Sequence, residues 1–278
     1  MELDEADLSY YKDHKFFLDK NIIVTGATGG VGSCLVRTLT SLGATVVAII
    51  KNEDKFNQMF NDILDIKNLL YEKIDFSKNM QQKEQFQKAI TKLNGKLDML
   101  FLCHGQYNMS EIEATNYPDF DQAMNVNTRS FMSLISLSVP FLKLTKGNIV
   151  AISSLESYIP INSGFLNTIT KSMVNELIQC TALELASFGI RVNGVAPGIT
   201  YTSHRVGINE DFKEEQNREF MEKMGTYNLL NSDVVQPYDI VNTILFLASD
   251  DAKFITGEII KVDNGFSLNH DLSFSKID

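Results

Sequence analysis

Chemistry is first legible in eight residues near the start of the chain, Thr25-Gly26-Ala27-Thr28-Gly29-Gly30-Val31-Gly32. Glycine lets a backbone turn tightly and approach a bulky anion closely. A helix that begins there offers unpaired N–H groups and a partial positive charge, which together suit a phosphate. The segment lies between an apolar run, Asn21–Thr25, and a stretch with Val31, Leu35 and Leu39 at helical spacing. That strand–turn–helix context makes it specific for a dinucleotide pyrophosphate. Further on, Asn167 and Lys171 stand one helical turn apart, so both side chains share a helix face. An asparagine amide hydrogen-bonds but does not exchange protons near neutral pH, whereas lysine brings a positive charge. Cys34, Cys103 and Cys180 are far apart and the 4 histidines are scattered. The spacing predicts buried thiols in a reducing compartment and no metal site.

Short apolar runs alternate with helical patterns along the chain and position these groups. Strands are expected at residues 21–25, 44–50, 70–75, 97–103, 147–153, 190–195 and 258–262. Helices are expected at 31–42, 53–65, 80–93, 117–144, 164–188, 209–224 and 237–249. Strands that are apolar throughout, rather than alternating, are buried on both faces. The pattern predicts an α/β fold: a single Rossmann-fold domain with a doubly wound parallel sheet of about seven strands and helices on both faces. The domain should run over 16–268, with a small charged cap insertion around 199–231 and a C-terminal tail at 269–278. Residues 1–15 read as an N-terminal extension. Tyr10 and Tyr11 amid acidic residues suggest contact with a partner chain.

The 278 residues suffice for one full core, and the net charge of −10 argues against sequence-independent binding of nucleic acid. No apolar run approaches the ~18 residues of a membrane span. The acidic N-terminus lacks the marks of a secretory or transit peptide. An intracellular protein is expected, cytoplasmic, with mitochondrial import by a non-cleaved route as the alternative.

Taken together, the motifs resemble the short-chain dehydrogenase/reductase family over nearly the whole length. Thr25, Gly26, Gly30 and Gly32 match its TGxxxGxG pattern. Asp75 falls where the family has an acidic residue near the adenine. Leu102-Cys103-His104-Gly105 stands where it has NNAG, and only Gly105 survives. Asn127 and Ser154 match its active-site asparagine and serine. Residues 191–198 resemble RVNxVxPG, so that Pro197 and Gly198 lead toward the nicotinamide, and Thr202 matches a threonine that contacts the carboxamide. Ile255-Thr256-Gly257-Glu258 and Val262-Asp263-Asn264-Gly265 resemble ITGQ and VDGG.

The resemblance implies cofactor contacts from Thr25, Gly26, Thr28, Gly30, Val31, Gly32, Lys51, Asp75, Gly105, Lys171, Pro197, Gly198 and Thr202. It implies catalytic roles for Asn127, Ser154 and Lys171. The family's proton-transferring tyrosine, four residues before the lysine and thirteen after the serine, is replaced here by Asn167. Strand two ends in Ile50-Lys51 rather than an acidic residue, which favours NADP(H) over NAD(H).

Two functional classes follow. One is a dinucleotide-binding protein, catalytically impaired or silent, serving as a structural or accessory subunit. The other is an active NAD(P)-dependent oxidoreductase on a carbonyl or alcohol with a non-standard proton donor, for which Tyr107, Tyr158 and Tyr201 are the available phenols. The resemblance also implies a homo-oligomer or larger complex, because the family pairs subunits through its two long helices. The apolar stripes Phe131, Leu134, Ile135, Leu142 and Ile169, Met173, Leu177 read as core or interface.

Overall fold

The computed structural model describes residues 5–64, 66–78, 82–107, 110–201, 214–230 and 233–269. The order is α1 (Glu5–His14), β1 (Asn21–Thr25), α2 (Gly30–Ser41), β2 (Thr45–Ile50), α3 (Glu53–Phe60), β3 (Leu69–Lys73), α4 (Gln82–Lys92), β4 (Met99–Leu102) and α5 (Tyr117–Met124). Then come α6 (Ser130–Thr145), β5 (Asn148–Ile152), α7 (Phe165–Leu185), β6 (Arg191–Pro197), α8 (Glu214–Gly225), α9 (Pro237–Ala248) and β7 (Ile259–Val262). The strands form one seven-stranded sheet in the order β3-β2-β1-β4-β5-β6-β7. Every neighbouring pair is parallel.

The all-apolar strands are explained by what covers them. Along β1, Ile22 and Val24 point into one core with α2, α3 and α9, while Ile23 points into the other with α4, α6 and α7. Along β2, Val46, Ala48 and Ile50 divide from Val47 and Ile49 in the same way. Successive residues of a strand face opposite sides, so two buried faces demand an unbroken apolar run. The parallel register fixes where the strands end, and the loops leaving their carboxyl ends gather along one edge.

The structure corrects several expectations. The pattern over 117–144 is not one helix, because a π-helical turn, Asn125–Arg129, separates α5 from α6. Such a turn inserts an extra residue and redirects side chains. The helix expected over 53–65 stops at Phe60, which is fully buried. The start of the cap helix at 209, the cap residues 202–213 and the tail beyond 269 lie outside the described residues.

The N-terminal segment is a helix folded on its own domain. Leu8 and Phe17 are buried in the α2–α9 core, Tyr11 packs against it, and the Tyr10 hydroxyl donates to Asp251 at 2.9 Å. These residues pack on the chain's own core, where the sequence had suggested a segment standing off it as an extension. Period-3.6 patterning is weak in this short helix, so composition alone could not reveal its packed face.

Candidate active site

The loop between β1 and α2 is dictated by backbone sterics. Gly26 has φ +61°, and a Cβ on it would lie 2.7 Å from the His104 backbone. A Cβ on Gly32 would lie 2.2 Å from the Gly26 carbonyl oxygen. Both positions therefore exclude any side chain. Gly29 caps α2 in an extended conformation with no side-chain hydrogen bond, whereas Asn52 and Asn116 cap α3 and α5. The amino end of α2 is left open to an anion.

A groove crosses this end of the sheet as two adjoining cavities of about 320 and 850 Å³, which share Gly26, Thr28, Lys51, His104 and Gly105. One reaches Asp75. The other runs along Gly29, Gly30, Val31 and Gly32 and reaches Ile152 at the end of β5. The structure thus brings Gly26, Thr28, Gly30, Val31, Gly32, Lys51, Asp75 and Gly105 to one groove. Thr25 stands behind it, its hydroxyl accepting from the Cys103 N–H at 3.0 Å. Pro197 and Gly198 end β6, where a Cβ on Gly198 would meet Asp263 at 2.8 Å. Thr202 lies outside the described residues.

Lys51 and Asp75 face each other, with Nζ 3.6 Å from Oδ2. Burial pushes the Asp75 carboxyl up. Hydrogen bonds from the Ser77 hydroxyl and backbone, with the charges of Lys51 and Lys78, outweigh this and hold it below the usual range.

His104 was visible in the sequence only as a departure from NNAG, and its role comes from the fold. Its ring is buried and stacks on Phe76 at 3.9 Å between centroids. Nδ1 lies 2.6 Å from the Thr25 hydroxyl and Nε2 lies 2.7 Å from that of Ser130. The Ser130 hydroxyl itself donates to the Val126 carbonyl. The network assigns the proton to Nε2, with Nδ1 accepting from Thr25. Burial first, and the Lys171 charge second, hold the imidazole well below its ordinary pKa, so it is neutral. His104 thereby ties the ends of β1 and β4 to α6.

Lys171 is buried, with Nζ donating to the Ile152 carbonyl at 2.8 Å and lying 5.4 Å from the Phe131 ring. Burial lowers its pKa to about 8, against the opposing pull of Cys103 and Glu156. The missing side chain of Gly105 leaves room there, since a Cβ would lie 3.4 Å from Lys171 Nζ and 3.6 Å from Asn127 Oδ1. Asn127, in the π turn, accepts from the Gln106 N–H at 2.7 Å and donates to the Gln106 carbonyl at 2.8 Å and to Thr170 at 3.2 Å. It clamps the loop after β4 to α7. Ser154 opens a short 3₁₀ turn, Leu155–Ser157, and its hydroxyl accepts from the Glu156 N–H at 3.2 Å.

Asn167 is buried on the first turns of α7, and its amide donates to Glu156 Oε2 at 2.8 Å. Nothing in the spacing pointed to Glu156, because it enters through the turn after β5 rather than through the helix face. Of the candidate phenols, Tyr158 lies under the Lys261 ammonium at 4.8 Å and Tyr201 leaves β6 beside Val235. Burial pushes the Cys103 thiol up to about 12, which makes it a poor nucleophile. The cysteines are not the buried residues expected, since Cys34 and Cys103 are half-buried and Cys180 is exposed.

A family model described as enoyl-(acyl carrier protein) reductase matches residues 26–267. The chain belongs to the short-chain dehydrogenase/reductase family. It is 30% identical to a tropinone reductase homolog of Arabidopsis thaliana over 90% of this chain and 93% of that one. It is also 30% identical to a 7alpha-hydroxysteroid dehydrogenase of Bacteroides fragilis, over 91% and 96%. The crystal structure of a short-chain dehydrogenase/reductase, a glucose/ribitol dehydrogenase from Brucella melitensis, superposes with a TM-score of 0.80 at 25% identity, covering 90% of this chain and 98% of that one. The family is one of oxidoreductases that use nicotinamide dinucleotides. Among the described residues, no helix is long and apolar enough to cross a membrane.

Proposed function

We propose that the chain binds NADP(H), in preference to NAD(H), along the groove, and is an oxidoreductase on carbonyl or alcohol groups whose ordinary proton-transfer route is impaired. The carrying observation is Lys171. An amine this deeply buried is costly to a fold unless it serves a partner, and here it stands where Gly105, Asn127 and the end of β5 meet. The dinucleotide, when bound, would exchange hydride with substrate. The residues present fit it: the open end of α2 for the pyrophosphate, Asp75 and Lys51 for the adenosine end, and Lys171 for the ribose next to the nicotinamide.

The impairment rests on Asn167 in the place of the family's tyrosine. A positioned acid/base is worth about 10²–10⁴ in rate. Asn167→Tyr should raise carbonyl-reduction turnover at least about tenfold, followed as loss of NADPH absorbance with steroid and cyclic ketones. Calorimetry with the oxidised and reduced forms of both dinucleotides tests the groove. If none of the four binds, this reading is wrong.

A silent dinucleotide-binding subunit of a larger assembly is the second reading. Asn167 favours it, because its amide is held by Glu156 and does not titrate. Exposed apolar residues on the long helices, Met132 on α6 and Ile169 and Met173 on α7, support pairing with a second copy or with another protein. Location in the cytoplasm is the matching expectation.

A further inference from the structure

The smaller of the two cavities, about 320 Å³, continues the groove past Lys51 and Asp75. Its apolar lining comes from Ile49 and Ile50 at the end of β2, Ile74 and Phe76 after β3, and Val126 in the π turn. The titratable groups that line it already have partners. Asp75 accepts from the Ser77 N–H and hydroxyl and faces Lys51. Both nitrogens of His104 lie against hydroxyls. A pair of amides completes the lining. Gln122, exposed on α5, donates from Nε2 to Gln106 Oε1 at 2.9 Å. The backbone of Gln106 is held at its N–H and at its carbonyl by Asn127. Asn127 thus fixes the place of Gln106, and Gln106 fixes which way the Gln122 amide turns.

We propose that Gln122 selects the purine base of the dinucleotide by recognising the exocyclic amino group of adenine, and that Gln106 is the residue that positions it. This rests on the proposed function, in which the groove holds the dinucleotide. An apolar slot accepts any flat base and does not tell one purine from another. Discrimination needs a donor and an acceptor side by side. With one N–H given to Gln106, the Gln122 amide keeps its second N–H and Oε1 for a ligand. Oε1 accepts from the adenine amino group, and the N–H donates to the ring nitrogen beside it. Hypoxanthine carries a carbonyl oxygen in place of that amino group, so oxygen would face oxygen. Turning the amide over relieves this clash but breaks the hydrogen bond to Gln106 Oε1.

Calorimetry on the full-length protein compares NADP⁺ with nicotinamide hypoxanthine dinucleotide phosphate. The two share their phosphates and nicotinamide, so the comparison isolates the base. The wild type should bind NADP⁺ about tenfold more tightly. Gln122→Leu should abolish this preference, weakening NADP⁺ about tenfold and leaving the hypoxanthine form nearly unchanged. Gln122 is exposed, so the variant should fold as the wild type does, which a thermal melt checks. A wild type that binds both bases equally well, or a Leu variant that keeps the full preference, overturns the proposal and leaves the groove reading intact. Absence of binding by either dinucleotide overturns both.

A second pair of variants reads the positioning role. Gln106→Glu keeps an acceptor for the Gln122 N–H and, ionised, donates nothing, so the preference for adenine should be retained or widened. Its added charge acts on both dinucleotides alike, which makes the ratio of affinities the readout. Gln106→Leu removes the acceptor and lets the Gln122 amide turn over. The hypoxanthine form should then bind more tightly, and the preference should shrink to about threefold or less. If the Glu and Leu variants keep the same preference, Gln106 does not set the direction of the amide, and the positioning role is refuted.

Discussion

The two halves of the candidate site are built on different principles. At the β1–α2 end, function is imposed by backbone: Gly26 and Gly32 touch neighbouring main chain so closely that no side chain fits. In the α7 half, the candidate site is made of side chains: Lys171, Asn167 and Glu156 hang from scaffolds that would tolerate other residues. A site made of backbone has little freedom to change without losing the fold. A site made of side chains can be changed by one substitution, and Asn167 beside Glu156 is the position where the proposed function expects such a change.

The largest effect should come from breaking the rigid end. Gly32→Ala puts a methyl 2.2 Å from the Gly26 carbonyl oxygen. Loop and helix must part, at a cost of about 3 kcal/mol or more, and the anion site opens with them. Urea denaturation and calorimetry should show lower stability together with loss of dinucleotide binding. If Gly32→Ala folds as firmly as wild type, the claim that sterics set this end is wrong.

Lys171 sharpens the comparison, because a side-chain site can be emptied without damaging the fold. Its ammonium titrates at about 8 in the folded chain, against ~10.4 when unfolded. Between these values the unfolded chain binds more protons, so stability should rise as pH goes from 8 to 10.5. The burial penalty is fully present below pH 8 and is relieved by about 3 kcal/mol at the top of the window. Lys171→Met should remove this rise, equal or exceed wild-type stability at pH 7, and weaken dinucleotide binding. Thermal melts across the pH range decide it, and a rise that persists in the Met variant would show that another group causes it.

The same contrast explains what the sequence made legible. The sheet and the glycine loop were readable because burial on two faces and steric exclusion leave few residue types for strands such as β1 and β2. Asn127, Ser154 and Lys171 were singled out by the resemblance of their surrounding motifs to the family, which needs only the order of residues along the chain. Glu156 and His104 were not, because their partners, Asn167 and Ser130, are 11 and 26 residues away and meet them only through tertiary packing. The π turn was hidden for another reason: one extra residue in a helix leaves the apolar pattern of its neighbours almost unchanged.

The N-terminal helix tests whether a segment outside the parallel sheet still belongs to the fold. Leu8 is buried in the same core as α2 and α9. Leu8→Ala should cost about 2 kcal/mol, measured by denaturation, with dinucleotide affinity unchanged because α1 lies away from the groove. Unaltered stability would return α1 to the status of a free extension.

The smallest effect is expected at Lys51, where both principles meet. Its place after β2 is fixed by the sheet, but its side chain is 72% exposed. It stands 3.6 Å from Asp75, so a cofactor 2′-phosphate would have to compete with a carboxylate for the same ammonium. Exposed ion pairs are weak and screened by salt. Lys51→Ala should therefore narrow the preference for NADPH over NADH only about fivefold, and less in 0.5 M salt. Asp75→Asn removes the competing charge and should widen the preference by a similar factor, while losing whatever it gives to the adenosine end for both cofactors. Competition binding with the two reduced dinucleotides at two salt concentrations measures all of this. A preference for NADH in the wild type, unmoved by Lys51→Ala, would mean that the end of β2 takes no part in selecting the cofactor.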